Sequence, residues 1–179
     1  MARLRKFICY RGVDKAYTRF SKYKKLSYVR ARPVCKVVRF DMGEFGKKYD
    51  FCLHLIATAR IQIRDNAIES ARQSLLKPLE KALGKTNFFA QVRIYPHHVL
   101  RENPLASGAG ADRLSTGMAH SFGKTIGIAA QVKVGQPLFS IFVNKENLEL
   151  AQKCLRRASH KLPSHAKIVT EKIEKKSVS

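Results

Sequence analysis

A glycine-rich segment near the middle of the chain sets the strongest limit on how the chain can fold. From Gly108 to Lys124 the sequence carries glycines at 108, 110, 117 and 123 and few large apolar side chains. Such a segment cannot bury itself in a core, so its backbone is free to approach another molecule closely. We predict a long flexible loop over residues 102–127, and a core built from the segments on either side of it.

The charge of the chain indicates what that other molecule is. Its 179 residues include 35 Lys and Arg against 13 Asp and Glu, for a net charge of +22. A large acidic partner would relieve the repulsion among these cations; nucleic acid is the first candidate and a membrane surface the second. The sequence has no apolar run of about 20 residues that could span a bilayer and no apolar signal segment, so a cytoplasmic protein without a membrane partner is expected.

Residues 1–33 are predicted to form an extended basic arm that binds RNA. Cations and aromatic residues alternate there at irregular spacing, opposed only by Asp14. This composition suits a chain that neutralises phosphates while its rings stack on exposed bases, and a solvated disordered tail is the alternative. The arm residues predicted to bind RNA are Arg3, Arg5, Lys6, Tyr10, Arg11, Arg19, Lys22, Lys24, Lys25, Arg30 and Arg32.

Two helices are predicted in the part of the chain that follows. Asn66 and Glu69 have the spacing of a capping box, and apolar residues recur at helical spacing until Gly84, which predicts a helix over 66–83 with a kink or a break at Pro78. A second helix is predicted to begin near Asn144 and to end before Pro163. Its end would present a second group of RNA-binding cations, which comprises Arg156, Arg157 and Lys161.

The remaining segments of residues 34–170 are predicted to be strands of one domain. Runs of β-branched and apolar residues predict strands at Val34–Phe40, Phe51–Ile63, Phe88–Tyr95, His98–Arg101 and Ala166–Thr170, and a hairpin of Ile128–Val134 with Leu138–Val143. We therefore predict an α+β fold, with a mainly antiparallel sheet, two helices packed on one face and the other face open to RNA. Residues 171–179 are predicted to be a polar tail.

Signs of catalysis and metal binding are weak. Cys52 and His54 would share a strand face, but no second pair of ligands completes a zinc site. The Gly-Lys-Thr sequence at Gly123 resembles a phosphate-binding loop, yet its glycine spacing is one residue too long and the residues after it alternate like a strand. Asp112, His120 and Ser121 lack the positioned base and oxyanion donors of a triad. We predict no enzyme activity, no metal and no cofactor.

Several segments together resemble one known family. His97–Arg101, Ala109–Leu114, Thr116–Met118 and Phe122–Lys124 look like the central signature of the universal large-subunit ribosomal protein numbered sixteen in bacteria and ten in archaea and eukaryotes. Lys36–Gly43, Ala67–Arg72, Gln131–Pro137 and Ala151–Pro163 resemble further segments of that family, in the same order. The arm, with Cys9–Arg11, Tyr17–Arg19 and Ser21–Tyr23, is more similar to the archaeal branch than to the bacterial one.

The resemblance implies a structural protein of the large ribosomal subunit. It implies a hammerhead-like β motif, binding to large-subunit rRNA near the aminoacyl-tRNA site, neighbouring ribosomal proteins and assembly factors as partners, and no homo-oligomer. The residues that it places nearest the tRNA are Arg101, Ser107, Gly108, Gly110, Asp112, Arg113, Gly117 and Lys124. Two alternatives remain open: a basic RNA- or DNA-binding protein outside the ribosome, and an RNA-acting enzyme that uses the glycine-rich loop.

Overall fold

The computed structural model describes residues 5–13, 15–19, 21–102 and 123–173. Strands in these ranges are β1 Asp41–Gly43, β2 Phe51–Ala57, β3 Ile61–Arg64, β4 Phe89–Val92, β5 His98–Glu102, β6 Lys124–Val132, β7 Pro137–Val143 and β8 Ala166–Lys172. The helices are α1 Asp65–Leu83 and α2 Leu148–Ser159, and single 3-10 turns occur at Phe7–Tyr10, Lys24–Leu26 and Lys145–Asn147.

A long bent ribbon of two antiparallel segments forms the frame of the fold. Residues 51–64 run along residues 129–143, with β2 paired to β7 and β3 paired to β6. The ribbon bends where both segments leave regular pairing, at residues 58–60 and 133–136. There the Ala57 N–H donates to the Gln136 carbonyl oxygen (3.0 Å) and the Gly135 N–H donates to the Ala57 carbonyl oxygen (2.9 Å), so the bend itself is hydrogen-bonded.

The bend divides the strands between two antiparallel sheets. One sheet has five strands in the order β1-β4-β7-β2-β8, and the other has three in the order β3-β6-β5. Helix α2 packs on β2, β7 and β8, whereas α1 packs on β3 and β6 and against α2. One hydrophobic core joins both helices to strands of both sheets, and its fully buried side chains include Leu53, Ile68, Phe139, Ile141 and Leu155. The predicted α+β class, mainly antiparallel with two helices, is confirmed.

Helix α1 differs from its prediction at the capping box and at Pro78. The helix begins at Asp65 with no side-chain hydrogen bond at its cap, and Glu69 binds Arg72 instead of closing a capping box. It also continues through Pro78 to Leu83, so the predicted alternative of a break is wrong. Leu75 and Leu79, on either side of the proline, are fully buried, and this packing compensates for the one backbone hydrogen bond that a proline removes.

Most strand predictions were right in type, but one predicted strand is absent and the predicted hairpin pairing is wrong. Residues 34–40 form no strand, and the first one is β1. The single strand predicted at Phe51–Ile63 is two strands, which lie in different sheets because of the bend. The predicted hairpin is wrong for the same reason: β6 and β7 follow one another along the ribbon, and each pairs with other strands. The edge strand near Ala166 is confirmed as β8 and extends to Lys172, inside the predicted tail.

The loop prediction is also too long at its end, because β6 begins at Lys124. This strand start agrees with the rejection of a phosphate-binding loop, which would open a helix there. The domain boundaries and the hammerhead-like motif remain predictions. In the part of the chain that the structure describes, no helix is both long enough and apolar enough to cross a bilayer.

Candidate nucleic-acid interface

The N-terminal arm lies on the face of the three-stranded sheet that is opposite to α1. Along β3 the side chains alternate, so Ile61 and Ile63 join the core while Gln62 and Arg64 point the other way. The Gln62 amide nitrogen donates to the Gly12 carbonyl oxygen (2.7 Å), and the Arg64 guanidinium donates to the Arg5 carbonyl oxygen (3.0 Å). In the three-stranded sheet, the face that was predicted to be open to RNA is therefore covered by the arm.

Tyr10 anchors the arm to that face. Its side chain is 8% exposed and packs against Leu100 and Ala129, with Ile126 at the margin. The Arg64 guanidinium lies over its ring, 5.1 Å from the centroid. Tyr10 was predicted to bind rRNA; because its ring is buried, it holds the arm to the sheet rather than offering a stacking surface to a base.

Tyr17 makes the second attachment, at the free edge of β5. Its backbone N–H donates to the His98 Nδ1 atom (2.8 Å), and its carbonyl oxygen accepts from the Val99 N–H (3.1 Å). The Arg101 guanidinium carbon lies 3.7 Å from the centroid of the Tyr17 ring, a stacked cation–π contact. The arm thereby covers the β5 edge, which an open sheet would leave unpaired.

The base of the predicted loop is held to the arm as well. Arg5 Nε donates to Glu102 Oε1 at 2.7 Å, and this hydrogen bond raises the pKa of the Arg5 guanidinium. Gly123, near the end of the predicted loop, lies so close to the Glu102 backbone that an added Cβ would meet it at 2.5 Å. Glu102 and Lys124 are paired residues of β5 and β6. Two predicted tRNA-proximal residues, Arg101 and Lys124, are thus brought together at this base.

The cations of the arm face solvent. Every described Lys and Arg that was predicted to bind rRNA in the arm is exposed: Arg5, Lys6, Arg11, Arg19, Lys22, Lys24, Lys25, Arg30 and Arg32. Arg32 also has partners in the protein, because it donates to the Tyr95 hydroxyl and the Pro96 carbonyl oxygen, both at 3.2 Å. Anchoring residues thus turn inward while the charges stay outside, which is the arrangement that phosphate binding needs.

The second basic group is carried by a different layer. Arg156 and Arg157 lie in the last turn of α2, with Lys161 just beyond it, and all three are exposed as predicted. Cations there also complement the negative end of the helix dipole. Helix α2 packs on the five-stranded sheet, whereas the arm packs on the three-stranded one, so the two basic groups do not share a sheet.

Seven predicted site residues lie outside the described residues. They are Arg3 in the arm and Ser107, Gly108, Gly110, Asp112, Arg113 and Gly117 in the loop. Conversely, the sequence reasoning did not identify Gln62, Arg64 and His98 as residues that hold the arm. The alternation of polar Gln62 and Arg64 with Ile61 and Ile63 was the signal that could have found the first two.

Cys52 and His54 do meet on one face of β2, as expected. The Cys52 sulfur lies 3.3 Å from His54 Nε2, and His54 Nδ1 lies 2.8 Å from the Ser140 hydroxyl. Burial raises the pKa of the Cys52 thiol to about 11, so this cysteine stays protonated and is a poor nucleophile or metal ligand. No group of three or more potential metal ligands occurs among the residues described.

Comparison with known proteins shows the family of the chain. Residues 15–169 match the model of the family described as ribosomal protein L16p/L10e. The chain belongs to this family. Its match runs from the second half of the arm into the edge strand β8, so both sheets and both helices are included, whereas Tyr10 and the other arm residues before residue 15 lie outside it. The resemblance seen in the sequence motifs is confirmed, and the family is one of ribosomal proteins rather than of enzymes.

Individual relatives of the L16p/L10e family cover almost the whole chain. It is 45% identical over 164 residues to the large ribosomal subunit protein uL16 of Methanocella arvoryzae, a match that covers 90% of this chain and 95% of the relative. The uL16 protein of Staphylothermus marinus is 45% identical over 157 residues, 87% of this chain and 90% of the relative. That of Archaeoglobus fulgidus is 43% identical over 150 residues, 84% and 86% respectively.

Proposed function

We propose that this L16p/L10e family member is a structural constituent of the large subunit of the cytoplasmic ribosome. It binds rRNA through the exposed cations of its arm and of the end of α2, and it supports tRNA positioning near the aminoacyl-tRNA site. The relatives named as large ribosomal subunit proteins support the assignment to the large subunit, and the docked arm supports RNA binding. Neighbouring ribosomal proteins and assembly factors are the further partners that we expect.

One observation carries the RNA-binding part of this proposal. The arm is fixed to the protein by Tyr10 and Tyr17, whereas its cations face outward. Fixing the backbone before binding reduces the entropy that is lost when RNA is bound, and the exposed cations then displace counterions from phosphates. The domain acts as a rigid support that brings a basic surface against folded RNA.

The test is to remove arm charges that have no part in anchoring the arm. Changing the exposed Arg11, Arg19, Lys22 and Lys25 together to glutamine should lower the share of tagged protein that sediments with the large subunit in a sucrose gradient. A matched control changes Lys77, Lys81, Lys85 and Lys145, which are also exposed and lie on or near the helices. Normal incorporation of the arm variant, or wild-type protein that stays at the top of the gradient, would contradict the proposal.

The tRNA part of the proposal has its own test at the base of the loop. Lys124 is exposed at the start of β6, next to the segment that the family resemblance places nearest the tRNA. Ribosomes that have assembled with Lys124→Gln should bind aminoacyl-tRNA less tightly at the aminoacyl site. Unchanged aminoacyl-tRNA affinity in assembled ribosomes would restrict the role of this residue to rRNA.

A further inference from the structure

A cavity of about 990 Å³ lies between the arm and the base of the predicted loop. Arm residues between Tyr17 and Ala31 line one side of it, and Arg101 with Gly123 to Thr125, at the ends of β5 and β6, line the other. Its volume is near the upper end of the roughly 300–1,000 Å³ that is typical of small-molecule sites. The cavity is therefore large enough for a planar organic group with a charged substituent.

The lining offers flat surfaces on which such a group can stack. The Arg101 guanidinium already lies over the Tyr17 ring, with its carbon 3.7 Å from the ring centroid. Tyr28 and Leu26 also line the cavity, and each is 53% exposed, which leaves apolar surface in water. An exposed ring and a guanidinium that line one cavity are the kind of groups on which unpaired bases of RNA are held.

The charges of the lining select for an anion. Arg30, Arg101 and Lys124 line the cavity, and its described lining residues include no carboxylate. Ser21 and Thr125 add hydroxyl groups that can hydrogen-bond to a sugar or to the edge of a base. A base with its phosphate and sugar matches this combination, because one ligand uses the rings, the cations and the hydroxyls together.

We propose that this cavity binds one unstacked nucleotide of the RNA, with its base against Tyr28 and its phosphate near Arg30 and Lys124. The inference rests on the proposed function, since it assumes that the protein binds large-subunit rRNA. A nucleotide in this position touches the arm and the base of the loop at once. It therefore ties the two segments that the family resemblance assigns to rRNA and to tRNA.

The experiment measures binding of fluorescein-labelled hexauridylate RNA to the full-length protein by fluorescence anisotropy. Tyr28→Leu should weaken binding about tenfold, because one base loses the ring on which it stacks. Tyr28→Phe keeps the ring and should bind within about twofold of wild type. Tyr23→Leu is the matched control, because Tyr23 is a 65% exposed arm tyrosine that is not part of the lining. Circular dichroism melting verifies that the variants fold.

Other outcomes would contradict either the nucleotide site or the proposed function. If Tyr28→Leu binds hexauridylate as tightly as wild type, or if Tyr23→Leu weakens binding equally, the nucleotide site is wrong. If free UMP displaces hexauridylate at concentrations near the dissociation constant of the RNA, the cavity serves a free nucleotide and not RNA. Failure of the wild-type chain to enter the large subunit would instead overturn the proposed function, so the two failures are distinguishable.

Discussion

Arg72 is a buried cation, and its partners show how this basic protein stabilises a charge near its core. The side chain of Arg72 lies at the margin of the core. Its guanidinium donates two hydrogen bonds to the Glu69 carboxylate, one of them from Nε to Oε2 at 2.8 Å. A third N–H points to the Met42 sulfur at 3.5 Å, which links α1 to β1. A guanidinium that leaves water needs such partners, and the pairing lowers the pKa of the Glu69 carboxyl group.

Replacing Glu69 should therefore destabilise the protein in a pH-dependent way. We expect Glu69→Gln to lower the free energy of unfolding at pH 7 by about 1–3 kcal/mol, because Arg72 loses its charged partner. A carboxyl whose folded pKa is lowered stabilises the fold above its unfolded pKa and stops doing so as the pH falls through the folded value. The difference between wild type and variant should thus shrink as the pH falls below the ordinary glutamate range.

Urea denaturation at pH 7, 5 and 3 measures this effect. Glu146→Gln, at an exposed position before α2, serves as the control and should change the free energy of unfolding by less than about 0.5 kcal/mol. A difference for Glu69→Gln that stays constant from pH 7 to pH 3 would mean that the ion pair is not the cause.

At the scale of elements, short connections decide where strands begin and which sheet they join. Strand β1 has three residues and ends at Gly43, whose φ is +88° and whose added Cβ would lie 2.1 Å from the Phe88 carbonyl oxygen. The next residue, Glu44, donates its N–H to that same oxygen at 3.0 Å. The pairing of β1 with β4 thus depends on a position that only glycine fits without strain.

A second glycine, in the turn after β1, provides a control for Gly43. Gly46 has nearly the same φ, +93°, but an added Cβ would meet nothing within 4 Å. Gly46→Ala should therefore cost only the left-handed conformation, about 1–2 kcal/mol, whereas Gly43→Ala adds a backbone clash and should cost about 2–4 kcal/mol. Thermal or urea unfolding of the two variants gives both values, and equal losses would show that the contact with Phe88 is unimportant.

The arm is an element of a different kind, because it is attached at a few points instead of being woven into a sheet. Segments with few buried contacts open locally at a low free-energy cost while the core stays folded. Tyr10 is the buried contact with Leu100 and Ala129, and the hydrogen bonds at Tyr17 come next along the chain. Replacement of Tyr10 should therefore weaken the docking of the arm more than it lowers the stability of the domain.

Limited digestion with trypsin tests the anchoring role of Tyr10. Tyr10→Ala should increase cleavage at the Lys and Arg residues of the arm several-fold, because the open state becomes more populated. The melting temperature of the domain should fall by less than about 4 °C, the shift that corresponds to about 1 kcal/mol. Tyr23→Ala, at an exposed position of the same arm, should leave both unchanged, and protection equal to wild type in Tyr10→Ala would refute the anchor.

For the whole molecule, the net charge of +22 is the dominant property. The core is built from both sheets and both helices, and the cations of the arm and of the end of α2 lie outside it. Self-repulsion among these charges is relieved when phosphates replace the solution counterions. The affinity of the protein for rRNA should therefore fall steeply as the salt concentration rises.

The salt dependence can be predicted from the number of cations removed. Each neutralised phosphate contributes about 0.7–0.9 to the slope of log K against log salt concentration, so the variant lacking Arg11, Arg19, Lys22 and Lys25 should have a slope shallower by about 3. Filter binding to large-subunit rRNA between 50 and 300 mM KCl measures the slope. The helix-side control variant should keep the wild-type slope, and an unchanged slope in the arm variant would show that these cations do not meet phosphates.

Much of this structure could be predicted from local features of the chain. Helical spacing of Ile68, Leu75 and Leu79 predicted a helix here that ends before Gly84, and apolar alternation predicted most strand segments. The exposed positions of the arm cations followed from composition, since charged side chains are rarely buried without a partner. The part of the candidate site that contains Ser107 to Gly117 stays a prediction.

The amino-acid sequence by itself determined the types of most elements, the α+β class, the family and the surface charge, because these depend on neighbouring residues, motifs and composition. Only the tertiary structure decided which strands pair, where the ribbon bends between two sheets, and that Tyr10 turns inward while Arg101 meets Tyr17. Those features join residues that are distant along the chain, and their stability comes from packing and hydrogen bonds that no local pattern encodes.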